Sequence, residues 1–364
     1  LSKSKIEWVL NPDGTLGVGW PVVTGCTKCS PGCQRCFAAK LAATRLRNHP
    51  HYAGLAVRDG DTYNWTGEVR CNEDELDKPL RWRKPRTVFV SPTGDLFHED
   101  VPDDFIDRAL AIAALCSRHT FLLLTKRAER QRDHMKRVGY VDGRAKQIAR
   151  QMGNPIPSGM VLQWPLPNVV PMVTACNQKE VNENVPILLD TPAVTRGVSI
   201  EPMLGPVDLT EIRNPNHFPG CMYTDALRGR DVHEDDDYLA TANERLDWVI
   251  CGGETGPGAR PMHPDWARSL RDQCQDASVP FFFKQWGEWM PVAGGGVGMI
   301  SNNGGSKQRH TFTRWDGSAF VVNDPERVGE YPHDMYRVGK KRAGHLLDGR
   351  EHRERPEVET DELG

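Results

Sequence analysis

Cys26-Thr27-Lys28-Cys29-Ser30-Pro31-Gly32-Cys33-Gln34-Arg35-Cys36 places four of the chain's ten cysteines within eleven residues. The other six, Cys71, Cys116, Cys176, Cys221, Cys251 and Cys274, are scattered. Zinc ribbons and fingers separate their two Cys pairs by roughly a dozen or more residues, so that two turns converge on a tetrahedral ion. Here only Ser30-Pro31-Gly32 stands between the pairs. Read as three thiolates on one loop, either Cys29, Cys33 and Cys36 or Cys26, Cys33 and Cys36, the stretch suits three corners of a cubane iron–sulfur cluster. The fourth iron is then open to a non-protein ligand. A structural zinc loop is the alternative. Cys116, Cys251 and Cys274 lie in apolar or helical patterns and are expected to pack as small hydrophobes.

The 364 residues carry 46 Lys+Arg against 49 Asp+Glu, a net charge of -3, with 38% hydrophobic and 26% charged residues. That balance belongs to a globular protein of one large domain or two ordinary ones, and a core of this size needs no metal or disulfide staple. No run of eighteen apolar residues occurs, and Leu1–Trp8 lacks an apolar signal core, so the expected location is the cytoplasm, with no membrane partner. In a reducing compartment clustered cysteines point to metal or catalysis. The charge excludes a protein that coats nucleic acid by bulk attraction and leaves room for a local basic groove.

Short apolar, β-branched runs recur along the chain, mostly followed by helical pattern: Pro21–Thr24, Thr87–Val90, Thr120–Leu124, Asn168–Thr174, Thr195–Ile200, Trp248–Cys251 and Pro280–Phe283. Helices are predicted at Phe37–Arg47, Pro102–Ser117, Lys179–Leu189 and Asp265–Ala277. Strands alternating with helices imply a parallel α/β sheet, here a partial (β/α)6-type barrel over residues 1–290. Charged segments near 127–159 and 214–243 read as insertions, Glu234–Asp237 as a solvated acidic run, Gly294–Gly305 as a Gly/Asn-rich loop, and 291–364 as a C-terminal extension. Parallel barrels build their sites at the C-terminal strand ends. Here those ends carry Thr93-Gly94-Asp95, Lys126-Arg127, Glu201, Glu254 and Lys284.

The chain resembles the phage Gp37/Gp68-type family, a radical S-adenosylmethionine-like group. The resemblance rests on Ile6-Glu7-Trp8, Val23-Thr24-Gly25-Cys26 with Ser30-Pro31-Gly32-Cys33 and Cys36-Phe37-Ala38, Asp95 through Pro102, and Leu124-Thr125-Lys126-Arg127. It continues through Ser199-Ile200-Glu201-Pro202, Gly252-Gly253-Glu254-Thr255-Gly256, Phe283-Lys284-Gln285-Trp286-Gly287 and Leu347-Asp348-Gly349-Arg350. It implies a [4Fe-4S] cluster on Cys26, Cys33 and Cys36, with Cys29 as the rival third ligand favoured by spacing, and S-adenosyl-L-methionine bound at the open iron. It further implies that Thr93, Gly94 and Asp95 meet the cofactor, Asp95 at its amino group, and that Glu254 contacts its ribose or the substrate. Lys126, Glu201 and Lys284 are the implied catalytic residues, with Arg127 facing the same cavity. A flavodoxin- or ferredoxin-type protein is the implied electron donor. The implied substrate is a hypermodified thymine base in phage DNA, altered by modification or isomerisation. Trp65, Arg70, Arg81, Trp82, Arg83, Lys84 and Arg86 form the expected Trp/Arg cluster for gripping nucleic acid. A radical enzyme acting on a peptide or metabolite, and a non-enzymatic zinc-loop binding protein, are the competing readings.

Overall fold

In the computed structural model, the structure describes residues 4, 6–153, 155–156, 159, 161–213, 221–233, 244–291, 312–315, 320–322, 335–358 and 360. Seven strands form one parallel sheet in chain order: β1 (Val18–Trp20), β2 (Thr87–Val90), β3 (Thr120–Thr125), β4 (Val169–Thr174), β5 (Gly197–Ile200), β6 (Trp248–Gly252) and β7 (Phe281–Gln285). Each is hydrogen-bonded to the next, and β1 and β7 are the two ends of the order, so the sheet is a partial barrel. Among the described residues, no helix is long and apolar enough to cross a membrane.

Six of the predicted strands lie within two residues of the observed ones. The first does not. Val18–Trp20 pairs with Val88–Val90, while Val23–Thr24 turns aside to pair antiparallel with Arg70–Cys71. Pro21 explains the break, since it has no N–H to continue the ladder.

The helices follow from local chemistry. α1 (Phe37–Ala43) follows the cysteine loop, and α2 (Asp103–Leu115) opens with Asp103 and Asp104, which complement its dipole, then buries Phe105, Ile106, Ala109, Leu110, Ile112 and Ala113 on one stripe. The charged stretch at 127–159 contains the β3-to-β4 crossover, folded as α3 (Ala128–Met135) and α4 (Val138–Gln151). α5 (Gln178–Leu189) is capped by Asn177, which accepts from the Glu180 N–H at 3.0 Å, while Glu180 reaches back to the Cys176 N–H at 2.7 Å. α6 (Pro264–Asp276) starts on a proline, with His263 as its cap.

Alternation along each strand separates two surfaces. Val88, Phe121, Val173, Val198, Val249 and Phe281 pack with the helix layers, and the same layers hold Cys116, Cys251 and Cys274 as buried apolar groups. Phe89, Leu122, Val170, Met172, Trp248, Ile250 and Phe282 form a separate cluster on the concave side, with Trp8 and Val9 packed among them. Trp8, 2% exposed, has its ring 5.0 Å from Phe89 and 5.9 Å from Trp248. The N-terminal segment thus fills the hollow of the half barrel, and the lower lumen is a packed core.

Beyond β7 lie four antiparallel strands, ordered Trp289–Pro291, Met335–Arg337, Phe312–Trp315 and Phe320–Val322. The chain then returns to the barrel. Arg353 bridges to Phe282, the Phe283 N–H reaches the His352 carbonyl at 2.9 Å, and Trp248 Nε1 reaches the Glu354 carbonyl at 3.0 Å. This segment covers the β7 edge, which would otherwise present unpaired backbone. The 214–243 segment includes a hairpin of Cys221–Asp225 with Arg230–His233. The Glu234–Asp237 run and the Gly294–Gly305 loop lie outside the described residues.

Trp8→Ala is expected to cost about 3 to 5 kcal/mol, because it removes a large, fully buried ring from the packed lumen. Urea denaturation with an unchanged slope checks it, and a loss below about 1 kcal/mol would show that the segment does not belong to the core.

Candidate metal centre at the barrel rim

Beyond Pro21 the chain is laid across the strand tips. Gly25 donates to the Thr93 carbonyl at 3.1 Å and bridges to Gly94. A Cβ on Gly94 would lie 2.5 Å from the Val23 carbonyl oxygen, so this crossing requires glycine. The loop then turns through Pro31–Cys33, where the Ser30 hydroxyl accepts from the Gly32 N–H at 3.1 Å, and enters α1 at Phe37. Gly32 presses against the β4 tip: a Cβ there would lie 2.5 Å from Cys176 Sγ.

This path brings Cys26, Cys29, Cys33 and Cys36 to the wall of one cavity of about 1140 Å³, measured with its open mouth. All four thiols are free. Among the described residues, the only His, Cys or carboxylate trio whose donor atoms all lie within 4.8 Å of one another is His51, Asp74 and Glu75. No three of the four sulfurs therefore lie within 4.8 Å of one another. Thiols of one loop spread along a cavity wall fit a larger, multinuclear group.

Their environments differ. Burial pushes Cys26 up to about 12, and Asp95 adds to this, against the opposing pull of the Arg127 guanidinium. Cys36 is also raised by burial, opposed by the Ala39 and Ala38 N–H groups at the start of α1. The Cys29 thiol donates to Cys33, which raises Cys29 and lowers Cys33, and Lys126 lowers Cys33 further. Cys29 is the exposed member, while Cys26, Cys33 and Cys36 are half-buried.

Two cations at the β3 tip face this sulfur. Arg127 lies 3.6 Å from Cys26 Sγ and donates to Asp95 at 3.0 Å, Glu99 at 2.7 Å and the Thr27 hydroxyl at 2.7 Å. Lys126 Nζ lies 3.7 Å from Cys176 Sγ. Burial alone would lower its ammonium, but the Cys176 and Cys33 sulfurs and Glu180 outweigh that and raise it. Asp95 is buried, and its carboxylate already accepts from Thr125 at 2.7 and 2.9 Å and from the Phe97 N–H at 3.0 Å, so it orients Arg127.

Glu254 is likewise held within the protein. It accepts from Arg260 Nε at 2.9 Å and from the Arg260 N–H at 2.8 Å, and Arg35 of the cysteine loop approaches to 3.7 Å. Arg260 also donates to the Pro31 carbonyl at 3.0 Å and Gln34 Oε1 at 3.3 Å, clamping the loop from the β6 side. Arg35 and Arg260 carry no motif, and neither was singled out from the sequence. Thr93 is buried, with its hydroxyl 2.9 Å from Tyr52 Oη, and is absent from the cavity wall.

The remaining wall joins the two ends of the sheet. Lys284 Nζ lies 2.5 Å from Glu201 Oε1 and 4.0 Å from Glu7, which Lys340 approaches to 2.7 Å. Trp8, Phe89 and Leu124 supply an apolar floor, and Ser91, Thr174 and Ser199 add hydroxyls. The indole Nε1 of Trp8 is buried and has no hydrogen-bond partner among the described residues.

The expected Trp/Arg cluster does not form one surface. Trp65 lines the cavity from the hairpin Ala56–Asp59 with Thr62–Trp65. Trp82 is buried beneath Arg86 beside His119, just before the start of β2, at the end of the barrel opposite the cysteines. Arg81 pairs with Asp77 and Arg70 with Glu68. Strand direction separates these residues: Arg86 precedes Thr87 at the N-terminal end of β2, whereas the cavity lies at C-terminal ends.

No curated protein matches the chain. Among solved structures, spore photoproduct lyase complexed with dinucleoside spore photoproduct is similar over 76% of this chain and 75% of its own, at 10% identity and a TM-score of 0.34. At that level the likeness assigns neither fold nor activity. Residues 3–356 match the family described as "Protein of unknown function (DUF5131)", and the chain belongs to that family.

Proposed function

We propose that the protein is a radical S-adenosylmethionine enzyme in which Cys26, Cys33 and Cys36 hold a [4Fe-4S] cluster at the rim of the half barrel. The observation that carries the proposal is the convergence of these three free thiols on the wall of one cavity at the rim. The resemblance to phage Gp37/Gp68-type proteins, through the residues quoted above, supports it. When bound, the cluster with S-adenosylmethionine on its open iron supplies a 5'-deoxyadenosyl radical able to take a hydrogen atom from substrate.

The protein's own residues hold and shield. Arg127 and Lys126 offset the negative charge that deprotonated cysteines bring to the rim, and the Arg260 clamp fixes the loop's position. Cys26 is the preferred third ligand over Cys29, because its sulfur lies half-buried beneath Arg127 while Cys29 is exposed. Lys284 and Glu201 form the polar end of the cavity, where a substrate group can exchange hydrogen bonds with them. Trp8, Phe89 and Leu124 exclude water from the floor. The substrate proposed is a hypermodified thymine in DNA, rearranged or further modified, with electrons from a flavodoxin- or ferredoxin-type donor. A peptide or metabolite substrate is the runner-up within the same chemistry.

Anaerobic reconstitution with iron and sulfide tests the ligand set. Cys26→Ser, Cys33→Ser and Cys36→Ser are each expected to lose most of the bound iron and all formation of 5'-deoxyadenosine, while Cys29→Ser keeps both. Purified protein that holds zinc and takes up no iron would sink the proposal. Loss of iron in Cys29→Ser with retention in Cys26→Ser would move the third ligand to Cys29.

Glu201→Gln and Lys284→Met are expected to retain wild-type iron while slowing conversion of modified DNA by about a hundredfold or more, the usual scale for a positioned polar group in the reacting site. Product analysis by mass spectrometry reads this, and unimpaired conversion in both variants would place the substrate elsewhere.

A further inference from the structure

From Gly14 to Arg58 the chain contains Lys28, Arg35, Lys40, Arg45, Arg47 and Arg58 and not one Asp or Glu, in a protein of net charge -3. This stretch folds as β1, the cysteine loop, α1 and the first strand of the Ala56–Asp59 hairpin; the part between Cys26 and Ala38 lines the cavity, and Lys40, Arg45 and Arg47 follow within and just after α1. Arg35, Phe37 and Trp65 line that mouth. Lys28, Arg45, Arg47 and Arg58 are exposed and Lys40 is half-buried.

Elsewhere the protein pairs its arginines closely: Arg108 with Glu73, Arg130 with Asp103, Arg137 with Asp107, and Arg268 and Arg271 with Asp348. Among the described residues, Lys28, Lys40, Arg45, Arg47 and Arg58 have no carboxylate within 4.0 Å. Lys28 donates instead to Asn64, and Arg58 to the Gly60 carbonyl. Acidic residues resume only at Asp59 and Asp61, in the hairpin turn. An acid-free lip of cations beside a cavity calls for a polyanion. Phe37 narrows the class: it is 51% exposed at the first position of α1, directly after Cys36, and is an aromatic ring on the cavity wall itself. Exposed aromatic surface beside tracking cations is the arrangement that holds a single nucleic-acid strand.

We propose that this lip binds the sugar–phosphate backbone of a single-stranded or locally opened nucleic acid, with Lys40, Arg45 and Arg47 on phosphates and Phe37 stacked against a base at the cavity mouth. The inference rests on reading the cavity as an active site on DNA, and it names the surface that holds the polymer. It also reconciles a negative chain with a negative substrate, because the cations are concentrated in one segment.

The test is fluorescence anisotropy of a labelled oligothymidylate titrated with the full chain at several salt concentrations, with circular dichroism and iron content measured on the same samples. The Lys40→Glu, Arg45→Glu, Arg47→Glu triple variant is expected to bind at least about tenfold more weakly, with a log–log salt slope smaller by about 2, since each phosphate contact on a single strand contributes about 0.7. Phe37→Ala is expected to weaken binding about five- to hundredfold with the slope unchanged, as loss of stacking does. An Arg81→Glu, Arg83→Glu, Lys84→Glu triple variant, at exposed positions before the start of β2 at the end of the barrel opposite the cysteines, carries the same change in net charge and should bind as wild type. Triple-variant binding with wild-type affinity and slope overturns the surface, and so does tighter binding to phosphatidylserine vesicles than to the oligonucleotide. Protein that takes up no iron yet binds through these residues removes the cluster assignment and leaves the lip. Protein that loads iron while the triple variant binds normally does the reverse.

Discussion

The cysteine loop lies on the barrel because ion pairs from two different strand tips hold it there. Arg127, from the end of β3, joins Cys26 and Thr27 to Asp95 and Glu99. Arg260, from the segment after β6, joins Pro31 and Gln34 to Glu254. Asp95 and Glu254 are both nearly buried, so each carboxylate is stable only while its guanidinium is in place, and removing one partner of such a pair costs about 3 to 5 kcal/mol. Each guanidinium, locked by its carboxylate, is a fixed donor to the loop, which cannot shift without giving up the bonds to Cys26, Thr27, Pro31 and Gln34. The loop's position is therefore set by the scaffold, as the preorganised ligand set of the proposed cluster would require.

The same constraint divides the lumen. Below the rim, Phe89, Leu122, Met172, Trp248 and Phe282 close around Trp8, leaving no room for a substrate. Above it the inward positions become Ser91, Thr174, Ser199 and Lys284, and the cavity opens. The change from apolar to polar takes place within one or two strand residues, at the C-terminal ends where a parallel barrel places its chemistry. The Lys340–Glu7–Lys284–Glu201 chain ties the N-terminal segment, the end of β5, β7 and the C-terminal segment together, with Lys284 and Glu201 on the cavity wall.

Much of this could be read from the sequence, for reasons that differ by element. Buried parallel strands are nearly continuous apolar runs, so β2 to β7 stood out; β1 is only three residues long, with a glycine at its centre, and gave way to the stronger apolar run after Pro21. Rim residues such as Lys126, Glu201 and Lys284 were found because a strand's end fixes where the next side chain points. Partners distant in sequence were not, since nothing in Arg260 or Arg35 announces that either meets Glu254. Adjacency in sequence from Trp65 to Arg86 is not adjacency in space, because a strand boundary places Trp82 and Trp65 at opposite ends of the barrel. The reading of 127–159 as an insertion came from its charge, which α3 and α4 carry while burying Ala128, Met135, Val141, Ala145 and Ala149.

The position of the third thiol ties these threads together. Spacing within the loop treats Cys26 and Cys29 as equivalent choices, because it counts residues and ignores what lies opposite. The fold makes them unequal. Cys26 follows Gly25, whose backbone is pinned to Thr93, and its sulfur accepts from a guanidinium fixed by Asp95 and Glu99; Cys29 sits at the exposed turn, where it donates to Cys33 and feels the Arg127 charge without a hydrogen bond from it. A ligand to a charged cluster needs both a fixed backbone and a nearby positive charge to offset its own. On the proposed reading Cys26 would be chosen because Thr93 fixes its backbone and Arg127, held by Asp95 and Glu99, donates to its sulfur, so the choice would lie with the barrel rim and only secondarily with the loop.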